Sequence, residues 1–349
     1  MKVLYAIQAT GNGHISRARE IVPILQQKCE LDILISGTQA DVSLPYPVKY
    51  RFKGISLIYN NKGALSLLQT AGQLKLKQIR KEIDQLPVEE YDLVINDFEP
   101  ISAWACKLKK VPCVSLSHQA AVANKFSPKP GMKDIAGELV LKYFAPCHEK
   151  FGFHFEQYDS NIFTPVIRSQ IRNAAVKNEN HYTVYLPSYH HTYLLKQLSR
   201  YKNAQWHIFT RDIKEELKIE NCFIRPIQNE SFIESMAGSK GVLCGAGFEG
   251  PAEALYLKKK LMVIPIAGQY EQHCNAAALK ILGIPVIKHL SKKYSSIIEQ
   301  WIDNDQHIEI DFPDNTEAVL DLIIEKYGFV QSNFPGMVRA IYPKRKKAS

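Results

Sequence analysis

The sequence predicts an α/β protein of two domains, each a parallel sheet covered by helices. Three observations carry this expectation. Short apolar runs alternate with longer segments of helical period, the pattern of βα units rather than of hairpins. The alternation occurs twice along the 349 residues, which is length enough for two separate cores. Between the two sets lies Phe163-Thr164-Pro165-Val166-Ile167-Arg168, a proline-bearing connector before a polar run. The first set has apolar strands at 3–7, 31–36, 93–96 and 112–116, with helical patterns at 15–28, 64–86 and 101–109. Strands at 183–186, 206–210, 222–225, 241–244 and 261–265 make up the second, and helical patterns follow at 294–304 and 316–327. The expected division is 1–164, 165–311 and a C-terminal segment 312–349.

Composition excludes several classes. Hydrophobic residues make up 46% and charged residues 23%, as in a soluble globular protein, so disorder is expected only at the ends. No apolar run approaches the roughly 20 residues of a membrane span. Met1-Lys2 leads directly into the first strand, which is too short for a signal core. Cys29, Cys106, Cys113, Cys147, Cys222, Cys244 and Cys274 are scattered, without a CxxC pair, and read as reduced thiols of a cytoplasmic protein.

The net charge of +9 is partly local: Arg339, Lys344, Arg345, Lys346 and Lys347 crowd the tail, and Lys75, Lys77, Arg80 and Lys81 crowd one stretch of the first half. The tail reads as a solubilising end or, alternatively, as a group attracted to anionic lipid at about 1 kcal/mol per basic residue. No basic-aromatic stripe accompanies it, so nucleic acid is not expected as a partner.

Two motifs carry chemistry. In Gly245-Ala246-Gly247-Phe248-Glu249-Gly250-Pro251-Ala252-Glu253-Ala254, an apolar strand ends in glycines and a helix begins with Pro251 in its first turn. Unpaired amides and the positive end of the helix dipole make such a junction an anion site, suited to a diphosphate. Glu253 lies a turn inside, where a carboxylate accepts hydrogen bonds from the vicinal hydroxyls of a ribose. Glu271 and Gln272, in Gly268-Gln269-Tyr270-Glu271-Gln272-His273-Cys274-Asn275-Ala276, suit the hydroxyls of a sugar. The second motif, Gln8-Ala9-Thr10-Gly11-Asn12-Gly13-His14, follows the first strand and opens a helix. Its Gly11-Asn12-Gly13 turn is common to nucleotide folds, but His14 adds an imidazole that titrates near neutrality and can serve as a base. Asp97 follows a buried strand and so belongs at the same edge; capping the helix near Glu99 is the alternative reading.

These segments resemble the donor signature of GT-B glycosyltransferases, in particular the MurG-like family 28 and the family 1 transferases that use UDP-sugars. The resemblance rests on Gly247 six residues before Glu253, and on Glu271-Gln272 before Asn275-Ala276. It implies a GT-B fold, two Rossmann-like domains with parallel sheets facing a central cleft, and a terminal helix that crosses back onto the first domain. It also implies an inverting transfer with His14 as the base and Asp97 as its partner, Glu99 being an outside candidate for the base. Gly11, Asn12 and Gly13 would line the donor site together with Gly245, Gly247, Phe248, Glu249 and Gly250. By the same resemblance Ile233 faces the base of the nucleotide, Arg168 approaches the donor phosphates and Ser188 belongs to a donor loop. That loop departs from the family, since Pro187-Ser188-Tyr189-His190-His191 replaces the expected glycines.

Adjacent histidines lack further ligands at useful spacing, so no bound metal is expected, and the nucleotide-sugar is a co-substrate rather than a cofactor. The acceptor is a hydroxyl compound of unassigned class. The helical segment 64–86, with Leu65, Leu68, Leu74 and Ile79 beside its bases, reads as a surface helix or as an interfacial helix presenting the site to a lipid. Two other functions share this architecture. A UDP-sugar 2-epimerase needs several cleft carboxylates, for which Asp97 and Glu99 qualify, and a non-catalytic nucleotide-sugar sensor would suit the bulky loop.

Overall fold

The computed structural model describes residues 1–9, 12–37, 44–55, 75–131 and 133–333, with 329–333 as backbone only. In the first half, β1 (Lys2–Gln8), β2 (Glu30–Ser36) and β3 (Tyr50–Phe52) lie on one side of the sheet. On the other lie β4 (Leu93–Asp97), β5 (Cys113–Leu116), β6 (Glu149–Phe153) and β7 (Ile162–Phe163), giving the order β3-β2-β1-β4-β5-β6-β7. All pairs are parallel. Helices cover both faces, so the central strands have no solvent side: residues 3–7 are fully buried. The helices are α1 (Asn12–Lys28), α2 (Leu76–Gln85), α3 (Pro100–Lys109), α4 (His118–Ala123) and α5 (Ile135–Tyr143).

The chain then passes through α6 (Ser169–Arg172) to a second sheet of β8 (His181–Tyr185), β9 (Gln205–Thr210), β10 (Leu217–Ile219), β11 (Cys222–Pro226), β12 (Gly241–Gly245) and β13 (Lys260–Ile264). Its order is β10-β11-β9-β8-β12-β13, parallel except for the β10–β11 edge pair. Here the helices are α7 (His191–Leu198), α8 (Asn229–Gly238), α9 (Glu249–Tyr256), α10 (Tyr270–Ile281) and α11 (Ser295–Asp303). The strand order reverses between β1 and β4 in one sheet and between β8 and β12 in the other. Such switch points open a crevice at the carboxyl ends of the strands, and both sequence motifs stand there.

The last described helix, α12 (Thr316–Asn333), returns to the first domain and packs beside α1. Lys28 reaches Glu317 at 2.8 Å and Asp321 at 2.7 Å, while Glu149 of β6 receives the Lys326 ammonium and the Tyr327 hydroxyl. The seven cysteines are unpaired. Among the described residues no helix is long and apolar enough to cross a membrane. Helix α2 begins only at Leu76, and Leu65, Leu68 and Leu74 lie outside the described residues, as do Gly11 and the basic tail. Its Ile79 and Ile83 pack against the core while Lys75, Lys77, Arg80 and Lys81 are exposed, which is the arrangement of a surface helix.

The turn that ends β4 is built from buried polar groups. Asn96, Asp97 and Glu99 have no solvent exposure, and Phe98 between them has φ 57°, a left-handed conformation uncommon outside glycine. Glu99 rather than Asp97 caps the following helix. Its carboxylate accepts the amides of Ile101 at 2.7 Å and Ser102 at 2.6 Å and the Ser36 hydroxyl at 2.6 Å. Asn96 holds the turn from within, donating to the Glu99 carbonyl at 2.7 Å and to Ser102 Oγ at 2.9 Å. Replacing Glu99 by Ala leaves two helix amides unsatisfied in the interior, while the Ser36 hydroxyl keeps Gln8 Oε1 at 3.1 Å as acceptor, and should cost about 2 kcal/mol in urea unfolding. Unchanged stability would show that water takes over these bonds.

Candidate active site in the cleft

His14 and Asp97 reach the cleft from neighbouring strands. His14 lies in the first turn of α1, just after β1, and Asp97 ends β4, where it pairs in register with Ile7. His14 Nδ1 stands 2.9 Å from Asp97 Oδ1. With the proton on Nδ1 and donated to the carboxylate, Nε2 carries the lone pair; it faces Gln119, whose Nε2 is 3.4 Å away. Burial works to lower the imidazole pKa, but the Asp97 charge and hydrogen bond outweigh it and hold it above the usual 6.5. Asp97 is itself held below the ordinary carboxylate value: burial pushes it up, and the charges of Arg17 and His14 more than offset that.

Arg17 is a member of this group that the sequence reading missed. It lies three residues beyond His14, one helical turn away on the same face, among the buried Ile15, Ala18 and Ile21. Its guanidinium donates to Asp97 from Nε at 3.2 Å and from Nη2 at 2.8 and 2.9 Å, and from Nη1 to Glu249 of the second domain at 2.6 Å. An arginine 3% exposed must be paired in this way, and an isolated basic residue inside an apolar helical stripe was the available signal.

On the donor side, β12 ends at Gly245 and α9 begins at Glu249. A side chain built at Gly247 or Gly250 would meet no protein atom within 4 Å. Packing therefore does not require glycine at these positions, and there is open space beside the amides of the α9 N-terminus. Gly13 differs: a Cβ there would fall 2.4 Å from the Glu249 carboxylate, so a larger residue would have to displace the side chain that Arg17 holds.

Further contacts cross the cleft. Gln119 donates to Glu271 Oε2 at 3.0 Å. The buried His118 sits 2.8 Å from Asn275 Oδ1 and stacks on Phe248 with ring centroids 3.8 Å apart. Neither His118 nor Gln119 was singled out in the sequence, because α4 carries no motif and its partners are distant in the chain.

Several expected donor contacts are engaged within the protein. Arg168 and Glu253 form a two-pronged ion pair, Nη2 to Oε2 at 2.8 Å and Nε to Oε1 at 2.5 Å, so the groups assigned to phosphate and ribose meet each other. Burial pushes the Glu253 carboxyl up, and Arg168 draws it back only in part. Gln272 accepts the Ile266 amide at 3.0 Å and donates to Gln269 at 2.8 Å, holding its own loop. Ile233 is buried in the core, Ser188 is exposed on the turn after β8, and Asn12 opens α1. Glu99, expected as an alternative base and as a carboxylate for epimerisation, is withdrawn from the cleft by its capping role. The expectation that His190 and His191 lack a further ligand is corrected too. The loop after β9 brings Asp212 to within 3.3 Å of His191 Nδ1 and 3.7 Å of His190 Nε2, a contact between separate βα loops that sequence spacing cannot display.

Comparisons with known proteins bear on the fold and the family. No curated protein matches the sequence. Among solved structures, Phytolacca americana UGT2 complexed with UDP-2fluoro-glucose and pterostilbene is similar with a TM-score of 0.57 at 12% identity, covering 97% of each chain. MurG of Acinetobacter baumannii gives 0.54 at 15% identity, over 93% of this chain and 99% of that one. SnogD, a glycosyltransferase from Streptomyces nogalater, gives 0.52 at 12% identity over 93% and 99%. These likenesses establish the GT-B fold with its two parallel-sheet α/β domains. The family model described as Glycosyl transferase family 1 matches residues 1–304, and the chain belongs to that family of glycosyltransferases.

Proposed function

We propose that the protein is an inverting, metal-independent glycosyltransferase that moves a hexosyl group from a UDP-sugar to a hydroxyl acceptor. The observation that carries this reading is the 2.9 Å contact between His14 Nδ1 and Asp97 at the first switch point, which turns Nε2 toward the cleft. Nε2 takes the proton of the acceptor hydroxyl as its oxygen bonds to the anomeric carbon, and the bond from that carbon to the donor diphosphate breaks with its electron pair on the diphosphate. The α9 N-terminus beside Gly247 and Gly250 receives the departing charge without a cation. Asp97 fixes the tautomer and stabilises the imidazolium that forms.

Donor binding falls to the second domain. UDP is the proposed nucleotide on two grounds: the resemblance of the Gly247 to Glu271 segment to UDP-sugar transferases, and the UDP-sugar named for the UGT2 complex. Glu253 is the proposed ribose ligand, which requires its pair with Arg168 to loosen so that Arg168 turns to the diphosphate. The acceptor would enter from the first domain. Contact with an anionic membrane surface, if the acceptor is a lipid, would fall to the exposed Lys77, Arg80 and Lys81 of α2.

Replacing His14 by Ala should lower kcat by about 10²-fold or more while UDP affinity by calorimetry stays nearly constant. Equal turnover would remove His14 from the base role. The base works only when deprotonated, and its pKa is raised, so activity should be lost as pH falls through a value above 6.5. Asp97→Asn removes the charge responsible; the acid limb of kcat/KM should move to lower pH and kcat should fall roughly 10-fold or more. A limb that stays in place would assign it to another group. Glu253→Gln should weaken UDP binding by about 10-fold; it also leaves Arg168 without its buried carboxylate, so the unfolding midpoint should fall, and binding is read well below that midpoint. Undiminished UDP affinity would contradict the ribose assignment.

A further inference from the structure

Apart from the groups of the candidate active site, the described residues bring His190, His191 and Asp212 together at the carboxyl edge of the second sheet. His190 and His191 lie where the loop after β8 enters α7, and Asp212 lies just after β9, the neighbouring strand. One ligand atom from each falls within 4.8 Å of the other two, and the imidazole nitrogens nearest Asp212 Oδ2 are His190 Nε2 and His191 Nδ1. Two atoms bonded at about 2.0–2.1 Å to one tetrahedral zinc lie roughly 3.4 Å apart. The separations from Asp212 Oδ2, 3.3 Å to His191 and 3.7 Å to His190, are close to that edge length.

The ring of His190 is also oriented from behind. Its Nδ1 is 2.8 Å from Thr192 Oγ1, to which it donates in the tautomer that leaves a lone pair on Nε2. In the other tautomer Nδ1 accepts the Thr192 amide at 3.4 Å, a long cap that metal binding would replace. His191 and Asp212 are already held together, because the His191 amide donates to Asp212 Oδ2 at 3.0 Å. Side-chain exposure of 59%, 17% and 30% leaves the cluster open to entry from solvent and to a water as fourth ligand.

We propose that His190, His191 and Asp212 form a binding site for one divalent transition-metal ion of the zinc class. Two imidazoles and a single carboxylate select such an ion over magnesium or calcium, which require more oxygen ligands. The ion ties the loop after β8 to the loop after β9 and takes no part in the transfer step described above.

The test uses the full-length protein, stripped with a chelator, dialysed and titrated with Zn²⁺ by calorimetry, with the visible absorption of a Co²⁺ adduct as a second readout. One Zn²⁺ per chain should bind in the presence of excess Mg²⁺, and Co²⁺ should give the intense bands of a tetrahedral site. His191→Ala should weaken Zn²⁺ binding by at least ~10-fold, and Thr192→Val, which removes the orienting hydroxyl, by ~10- to 100-fold. Circular dichroism of both variants should match the parent, since both positions lie in the first turn of α7, outside the hydrophobic core. No uptake of Zn²⁺ by the parent protein, displacement by equimolar Mg²⁺, or uptake unchanged in either variant would overturn the site.

Discussion

A guanidinium shut away from water has to be neutralised where it lies, and in this fold that requirement falls at the point where the domains meet. Arg17 comes from the first helix, Asp97 from the fourth strand and Glu249 from the first turn of a helix in the other domain. The two carboxylates bind different nitrogens of the one cation, so the position of the second domain is linked to the charge around the imidazole of His14. Asp97 raises the basicity of His14 and Arg17 lowers it. A movement that carried Glu249 away would leave Arg17 to Asp97 alone. At Gly13 a side chain would displace the Glu249 carboxylate and so disturb its pair with Arg17.

Strand order explains why these groups converge. The crossover between β1 and β4 places the chain segments after both strands side by side, although they are 83 residues apart at His14 and Asp97. The second sheet repeats the device between β8 and β12. Each sheet thus offers its crevice to the other, and the helix beginning at Glu249 points its free amides into the space between them. The left-handed Phe98 lies between two buried carboxylates that take different partners. Asp97 turns to the cleft, and Glu99 is directed back into the helix that it caps.

Much of this architecture was legible in the sequence, because fully buried parallel strands read as uninterrupted apolar runs. The strands beginning at Val3, Leu93 and Gly241 were visible for that reason. Strands β3, β6, β7 and β10 were not: β3, β7 and β10 are short edge pieces, all three residues of β10 being exposed, and β6 begins with the charged Glu149 and Lys150 and carries Gly152, so no apolar run marks it. In the site, His14, Asp97 and the Gly247 junction were readable because each sits directly after a strand. Arg17, Gln119 and Asp212 were not, since their meaning comes from partners on other βα units. The same limit explains Arg168 and Glu253, which were read as two ligand contacts and meet as one ion pair. A sequence motif records which groups are available but not which of them are already occupied by one another.

The return of α12 to α1 has a consequence for the order of events during synthesis. Lys28 emerges from the ribosome long before Glu317 and Asp321, the carboxylates that neutralise it, and Glu149 precedes Lys326 by 177 residues. The first domain is therefore translated first and completed last. Until the second domain has been made, the surface of α1 that α12 will cover stays open to solvent and to other chains, and the closing contact carries the entropy of a very long loop.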